Sequence, residues 1–134
     1  MKYLLDTNII AYIINKRPVE VCNRFHSLEL NEISTSSIVV AELWFGVAKS
    51  QRKVQNKTAL ENFLAELTIF DFDIRAAESY AIIRAELESK GTIIGANDLL
   101  ISAHAVSLGL TLITNNAREF QRINELKIEN WLTE

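Results

Sequence analysis

The chain is poor in the residues that most often mark a specialised chemistry. A single cysteine, Cys22, excludes an internal disulfide and any cysteine-based zinc site. One proline and four glycines leave no linker along the 134 residues, and there are no repeats or low-complexity tracts, so the sequence predicts one domain, 1–134. That length is enough to bury a real core. Long hydrophobic runs are missing too: Met1-Lys-Tyr-Leu-Leu-Asp6 is far too short for a signal peptide, and nothing approaches a membrane span. The expected location is therefore the cytoplasm. Excess positive charge is absent, and a formal net charge of -3 excludes a uniformly basic surface for nucleic acid, though not a local patch beside a cluster of acids. What remains, 49% hydrophobic and 23% charged, is the composition of a soluble globular protein.

Short apolar runs alternate with helical periodicity. Tyr3 to Leu5 reads as a buried strand stopped by Asp6-Thr7-Asn8, which open a helix through Ile14. Pro18 suits the first turn of a helix reaching about Ser27. Ile33 to Ser36 is a second strand, with Ser36 or Ser37 capping a helix from Ile38 to about Ser50. Leu60, Phe63, Leu64 and Leu67 mark the next helix, Thr68 to Phe72 a third strand, and Ile74 to Lys90 a long helix with Ala77, Tyr80, Ala81, Arg84 and Leu87 on one side. The stretch from Thr92 delivers Asp98 to a helix capped by Asn97 and ended by Gly109; Leu110 to Thr114 is a fourth strand. One helical turn, Ala117 to Phe120, and a short edge strand within Lys127 to Trp131 complete the chain. The pattern predicts a three-layer α/β/α sandwich around a central, mainly parallel sheet of four to five strands, in which ligands gather beyond the carboxyl ends of the strands.

Asp6 and Asn115-Asn116 each follow a strand directly, so both project toward that edge. Asp98, in a first helical turn, is favoured by the helix dipole and is expected to stay ionised at neutral pH; by itself it is explained by ordinary capping chemistry. Glu42 lies in a helix apolar from Ser37 to Gly46, where it either pairs and snorkels or serves a site. Were Asp6, Glu42 and Asp98 to share a cleft, they would repel unless a cation sat among them, and oxygen ligands suit Mg²⁺ or Mn²⁺. His104 lies about 240° round the helix from Asp98, His26 has no partner at ligand spacing, and Cys22 reads as an apolar filler. Ser102, one turn after Asp98, either packs or bonds to a metal water. The run Lys49 to Lys57 carries four positive charges and no acid, as a phosphate contact or a solvated connection. Trp44 and Phe45 beside Glu42 belong to the core or stack on bases, and Arg84 snorkels or anchors toward the cleft.

Asp6-Thr7-Asn8, Glu42 within Val40-Ala-Glu-Leu43, Ile94-Gly-Ala-Asn-Asp-Leu-Leu-Ile101, and Thr114-Asn-Asn116 followed by Glu119-Phe120 resemble the signature segments of PIN-domain ribonucleases. The likeness runs from the first strand to the Glu129-Asn-Trp131 tail and is closest to the VapC toxins of toxin–antitoxin pairs. It implies a Mg²⁺- or Mn²⁺-dependent endoribonuclease inhibited by a cognate VapB-like antitoxin, with structured RNA such as tRNA as substrate. Apolar residues on the helix pair from Ile38 to Leu67 and on the face of Ile74 to Lys90 exceed what a small sheet needs, which favours a homodimer and a groove for an antitoxin segment, and hence a larger complex with the antitoxin. Asp6 and Asp98 fall on the family's metal-binding acids, Glu42 on its third acid, and Asn116 on a fourth position that is usually aspartate. An amide there cannot supply charge, so one firmly bound ion is expected. Hydrolysis by an activated water, with Glu42 taking its proton, would leave 5′-phosphate and 3′-hydroxyl ends.

Three rivals compete. A signalling receiver domain would use Asp71 or Asp73, but it needs an acidic pair after the first strand and a late lysine that this chain lacks. A binding module with vestigial acids keeps the fold without the chemistry, and a nuclease acting on DNA keeps the chemistry with another substrate.

Overall fold

Strands of three or four residues hold together only when both faces of their sheet are covered. The structure, a computed structural model that describes residues 1–132, covers them with helices. In chain order the elements are β1 (Tyr3–Leu5), α1 (Thr7–Asn15), α2 (Val19–His26), a 3₁₀ turn (Leu30–Glu32), β2 (Ile33–Ser36), α3 (Ser37–Ala48) and α4 (Lys53–Ala65). Then come β3 (Thr68–Phe70), α5 (Ile74–Ser89), α6 (Ala96–Leu108), β4 (Thr111–Ile113), α7 (Ala117–Phe120) and β5 (Ile128–Glu129). The five strands lie in the order β3-β2-β1-β4-β5, all parallel, in the expected α/β/α arrangement.

β1 is the central strand, and Leu4 and Leu5 are fully buried together with Ile9, Ile10, Ile33, Leu112 and Ile113. Each such side chain contributes about 1.5–3 kcal/mol relative to exposure. β2 carries Ser34 and Thr35 into the same interior, where their hydroxyls donate to the carbonyls of Tyr3 at 2.9 Å and Leu5 at 2.8 Å. Ser36 ends the strand by capping α3, accepting from the Ile38 N–H at 3.0 Å, while its oxygen also lies 2.7 Å from Nδ1 of His104 on α6. Register pairs Leu5 with Ile113, so Asp6 and Thr114 leave the sheet side by side.

Local rules misplace several details. The third strand ends at Phe70, because Asp73 is drawn into capping α5, accepting from the Ala76 N–H at 3.0 Å. The fourth and edge strands shrink to their paired residues, Thr111–Ile113 and Ile128–Glu129. Pro18 precedes α2 instead of sitting in its first turn. α5, which packs chiefly on α6, buries Ala76, Ile83 and Leu87, leaving Ala77, Ala81 and Arg84 exposed. Arg84 stays on the surface, paired with Glu88 and the Tyr80 hydroxyl, each at 2.8 Å. No helix among the described residues is long and apolar enough to cross a membrane. The domain end expected at 134 lies outside the described residues.

Candidate active site

Asp6 is set by the parallel register. It caps α1 with Oδ1, which accepts from the Thr7 N–H at 2.8 Å, while Oδ2 accepts from the Thr114 hydroxyl at 2.7 Å. Only 6% of the residue is exposed. Burial raises its pKa and Glu42 adds to the rise, while the hydrogen bonds from Thr114 and Thr7 pull it back.

Glu42 projects from the middle of α3 into the same cleft and is half-buried. The helix is not closed to water as its composition suggested: only Val39 is fully buried, and Phe45 is 64% exposed. Both carboxylate oxygens of Glu42 are held. Oε1 accepts from the Thr7 hydroxyl, and Oε2 accepts from the Asn97 side-chain amide at 2.9 Å. Asn97 is therefore not the cap of α6; that place falls to Gly95, which makes no side-chain cap bond, and Asn97 reaches across the cleft.

Asp98 enters from the first turn of α6, as expected, but its expected full ionisation at neutral pH does not hold. Burial, then the nearby Asp6, then a hydrogen bond and charge from Glu119 push its pKa from 3.8 to about 7. Burial first, and then the nearby like charges, outweigh the helix dipole here. Asn116 stands between Asp98 and Glu119: its side-chain amide donates to Asp98 Oδ2 at 3.3 Å and to Glu119 Oε2 at 3.4 Å. Glu119 was missed as a site residue, although it falls three positions after Asn116 in a helical turn, the spacing that puts two side chains on one face.

These residues meet in an open cleft of about 850 Å³ lined by Asp6, Glu42, Asp98 and Asn116, with Lys49 the only basic side chain among the described residues lining it. Such a set of hard oxygen donors, short of compensating cations, fits a divalent ion of the Mg²⁺ type. Among the described residues no three acidic, histidine or cysteine side chains stand close enough to hold an ion unaided. Mg²⁺ commonly keeps waters and is held by one or two carboxylates plus substrate phosphates. Glu42, engaged by Thr7 and Asn97, is better placed to act through water than as a direct ligand.

The other candidates lie elsewhere. His104 is buried against Ser36 and stacks edge-on against Phe72, and burial lowers its pKa. His26 Nδ1 contacts the Cys22 carbonyl at 2.7 Å, and Cys22 is a buried filler. Ser102 is fully buried and donates to the backbone carbonyl of Asp98 at 2.6 Å, so it packs within α6. Asp73 caps α5, and neither it nor Asp71, the two residues a receiver reading would use, lines the cleft. Asn8 and Asn115, 3.4 Å apart, complete the cleft's polar rim, and Asn115 also donates to the Tyr12 hydroxyl at 2.6 Å.

Comparison with known proteins places this geometry. A family profile described as "PIN domain" matches residues 3–126. The chain is 51% identical to "Ribonuclease VapC2" of Rickettsia felis, over 98% of both chains. It is 40% identical to "tRNA(fMet)-specific endonuclease VapC" of Salmonella typhimurium, again over 98% of each. Among solved structures, the crystal structure of VapBC2 from Rickettsia felis bound to a promoter DNA fragment contains a chain matching at a TM-score of 0.90 and 49% identity, covering 98% of this chain and 99% of that one.

Proposed function

The chain belongs to the PIN-domain family, and on that premise we propose that it is a divalent-cation-dependent endoribonuclease, the toxin of a pair, inhibited by a cognate VapB-like antitoxin. The observation that carries this reading is the convergence of Asp6, Glu42 and Asp98 on one cleft from elements far apart in the chain. We take residues 1–134 as a single nuclease domain working in the cytoplasm. RNA is the substrate and tRNA the class to test first, in keeping with the name of the Salmonella relative.

Asp6 and Asp98 would hold Mg²⁺, or Mn²⁺ in its place, with Asn116 and Glu119 beside them. Such an ion, when bound, stabilises charge on phosphoryl oxygens and lowers the pKa of a water. Glu42 orients the attacking water and takes its proton; Thr7 and Asn97 fix the direction of its lone pairs. Asp6 keeps its position because Thr7 and Thr114 restrain both oxygens. Water attacks phosphorus, the bond to the 3′ oxygen breaks, that oxygen takes a proton from solvent, and the products carry 5′-phosphate and 3′-hydroxyl ends.

A second cavity of about 320 Å³ between α1, α3 and α4 shares Thr7, Glu42 and Gly46 with the cleft. An antitoxin segment seated there would reach the catalytic acid. Ile74 and Ile82 on α5, 78% and 68% exposed, offer apolar surface for a second copy and for a larger complex with antitoxin. The test is incubation of antitoxin-free protein with total RNA and with single-stranded DNA, in Mg²⁺ or EDTA. Cleavage of RNA alone, only with Mg²⁺ and lost in Asp98→Ala, is expected. Equal cleavage of DNA would move the substrate, and cleavage of neither would leave a binding module.

A further inference from the structure

α3 turns one continuous face to the cleft, and that face does not end at its acid. Glu42, Phe45, Gly46 and Lys49 follow one another at helical spacing and all line the cleft. The side chains at the other three positions contribute little to the core. Phe45 keeps 64% of its surface in water beside a charged cleft floor, where a residue of its kind normally joins a core. Gly46 sits inside the helix, where glycine is weaker than alanine, yet a Cβ built there meets nothing within 4 Å, so packing does not demand it. Lys49 places Nζ 5.0 Å from the Phe45 ring centre and, among the described residues, on no carboxylate, despite the acids across the cleft.

We propose that Phe45, Gly46 and Lys49 form a nucleotide subsite next to the scissile bond. An unpaired base of the RNA stacks on the Phe45 ring, the bare backbone at Gly46 leaves room for the nucleotide against the helix, and Lys49 holds an adjacent phosphate. A rise of about 1.5 Å per residue sets Phe45 about 4.5 Å and Lys49 about 10 Å along the axis from Glu42, a progression that leads a strand away from the reacting phosphate. Stacking on aromatic rings is how single-stranded RNA is gripped without a sequence code, and a base inside a duplex has no free face to offer. An exposed cation–π contact is weak, so the Lys49 ammonium is free to exchange the ring for a phosphate. The subsite therefore selects looped or single-stranded segments. It rests on the ribonuclease reading above.

The experiment measures binding of the full-length, antitoxin-free protein to a fluorescent RNA hairpin with an unpaired loop and to a blunt RNA duplex, in EDTA, alongside Mg²⁺-dependent cleavage of total RNA by the wild type. Phe45→Ala weakens loop binding by roughly 5- to 100-fold, and Phe45→Trp restores it to within about 2-fold. Lys49→Gln lowers the slope of log affinity against log salt by about 0.7. Gly46→Leu weakens loop binding while the melting temperature is kept. Wild-type affinity in Phe45→Ala, or equal binding of the duplex, overturns the subsite while wild-type cleavage leaves the ribonuclease reading standing. Loss of antitoxin binding without loss of RNA binding in Phe45→Ala also overturns it and assigns the ring to the protein partner. A wild type that neither cleaves nor binds RNA sinks both.

Discussion

The two flanks of the cleft are built to opposite standards. On one side Asp6 is buried with both oxygens matched by donors from Thr7 and Thr114. On the other, Asp98 receives one long contact from Asn116 at 3.3 Å, lies among Asp6, Glu42 and Glu119, and titrates near 7. A carboxylate held by two donors of its own chain is fixed in position, and each oxygen keeps a lone pair for a ligand. One left short of donors strains the free protein and is relieved when a cation arrives. The first flank is positioned by its own chain, and the second is left to be balanced by whatever binds there.

The largest test of that contrast removes the acids in turn. Asp6→Ala is expected to lower cleavage by roughly 10³-fold and also to destabilise the protein by about 1–3 kcal/mol, since it orphans the buried Thr114 hydroxyl. Asp98→Asn should cost as much cleavage yet raise the metal-free melting temperature, read by thermal denaturation in EDTA. Equal destabilisation by both would erase the distinction. Next in size, Asn97→Ala frees Glu42 Oε2 and should slow turnover by roughly 10–100-fold with little change in stability, while Asn97→Asp should do no better. An Asn97→Ala enzyme with unchanged turnover would remove Asn97 from the machinery.

The smallest effect is on pH dependence. Because the Asp98 pKa is raised from 3.8 to about 7, the folded state holds this proton more tightly than the unfolded state. Its contribution is fully present below about pH 4 and is lost as pH climbs through about 7, so metal-free stability declines across that window. Mg²⁺ should therefore raise the melting temperature by a few degrees more at pH 8 than at pH 5, on the scale of about 1 kcal/mol for a domain of this size. Asp98→Asn should flatten the difference. A Mg²⁺ shift that ignores pH would detach the ion from Asp98.

What could be seen in the sequence follows from the range of each force. Asp6, Asn115 and Asn116 were legible because a parallel strand sends its carboxyl end to one edge, and Asp98 because it opens a helix. The role of Asn97 was not: capping is a local rule, while its partner Glu42 lies 55 residues away. The ionisation of Asp98 was misjudged for the same reason, since the dipole of its own helix is visible in the chain, while its burial and the charges of Asp6 and Glu119 are set by distant segments. On α5 the apolar letters were compatible with more than one face, and only contact with α6 selected Ala76, Ile83 and Leu87.

The hydroxyl of Ser36 joins two carriers that have no covalent reason to move together. It closes the amino end of α3 and touches the imidazole that rides on α6, so the beams bearing Glu42 and Asp98 share one rivet at the sheet. Together with the Asn97 amide on Glu42, that oxygen ties α3 to α6, so the spacing of Glu42 and Asp98 is held in part by a residue outside the cleft.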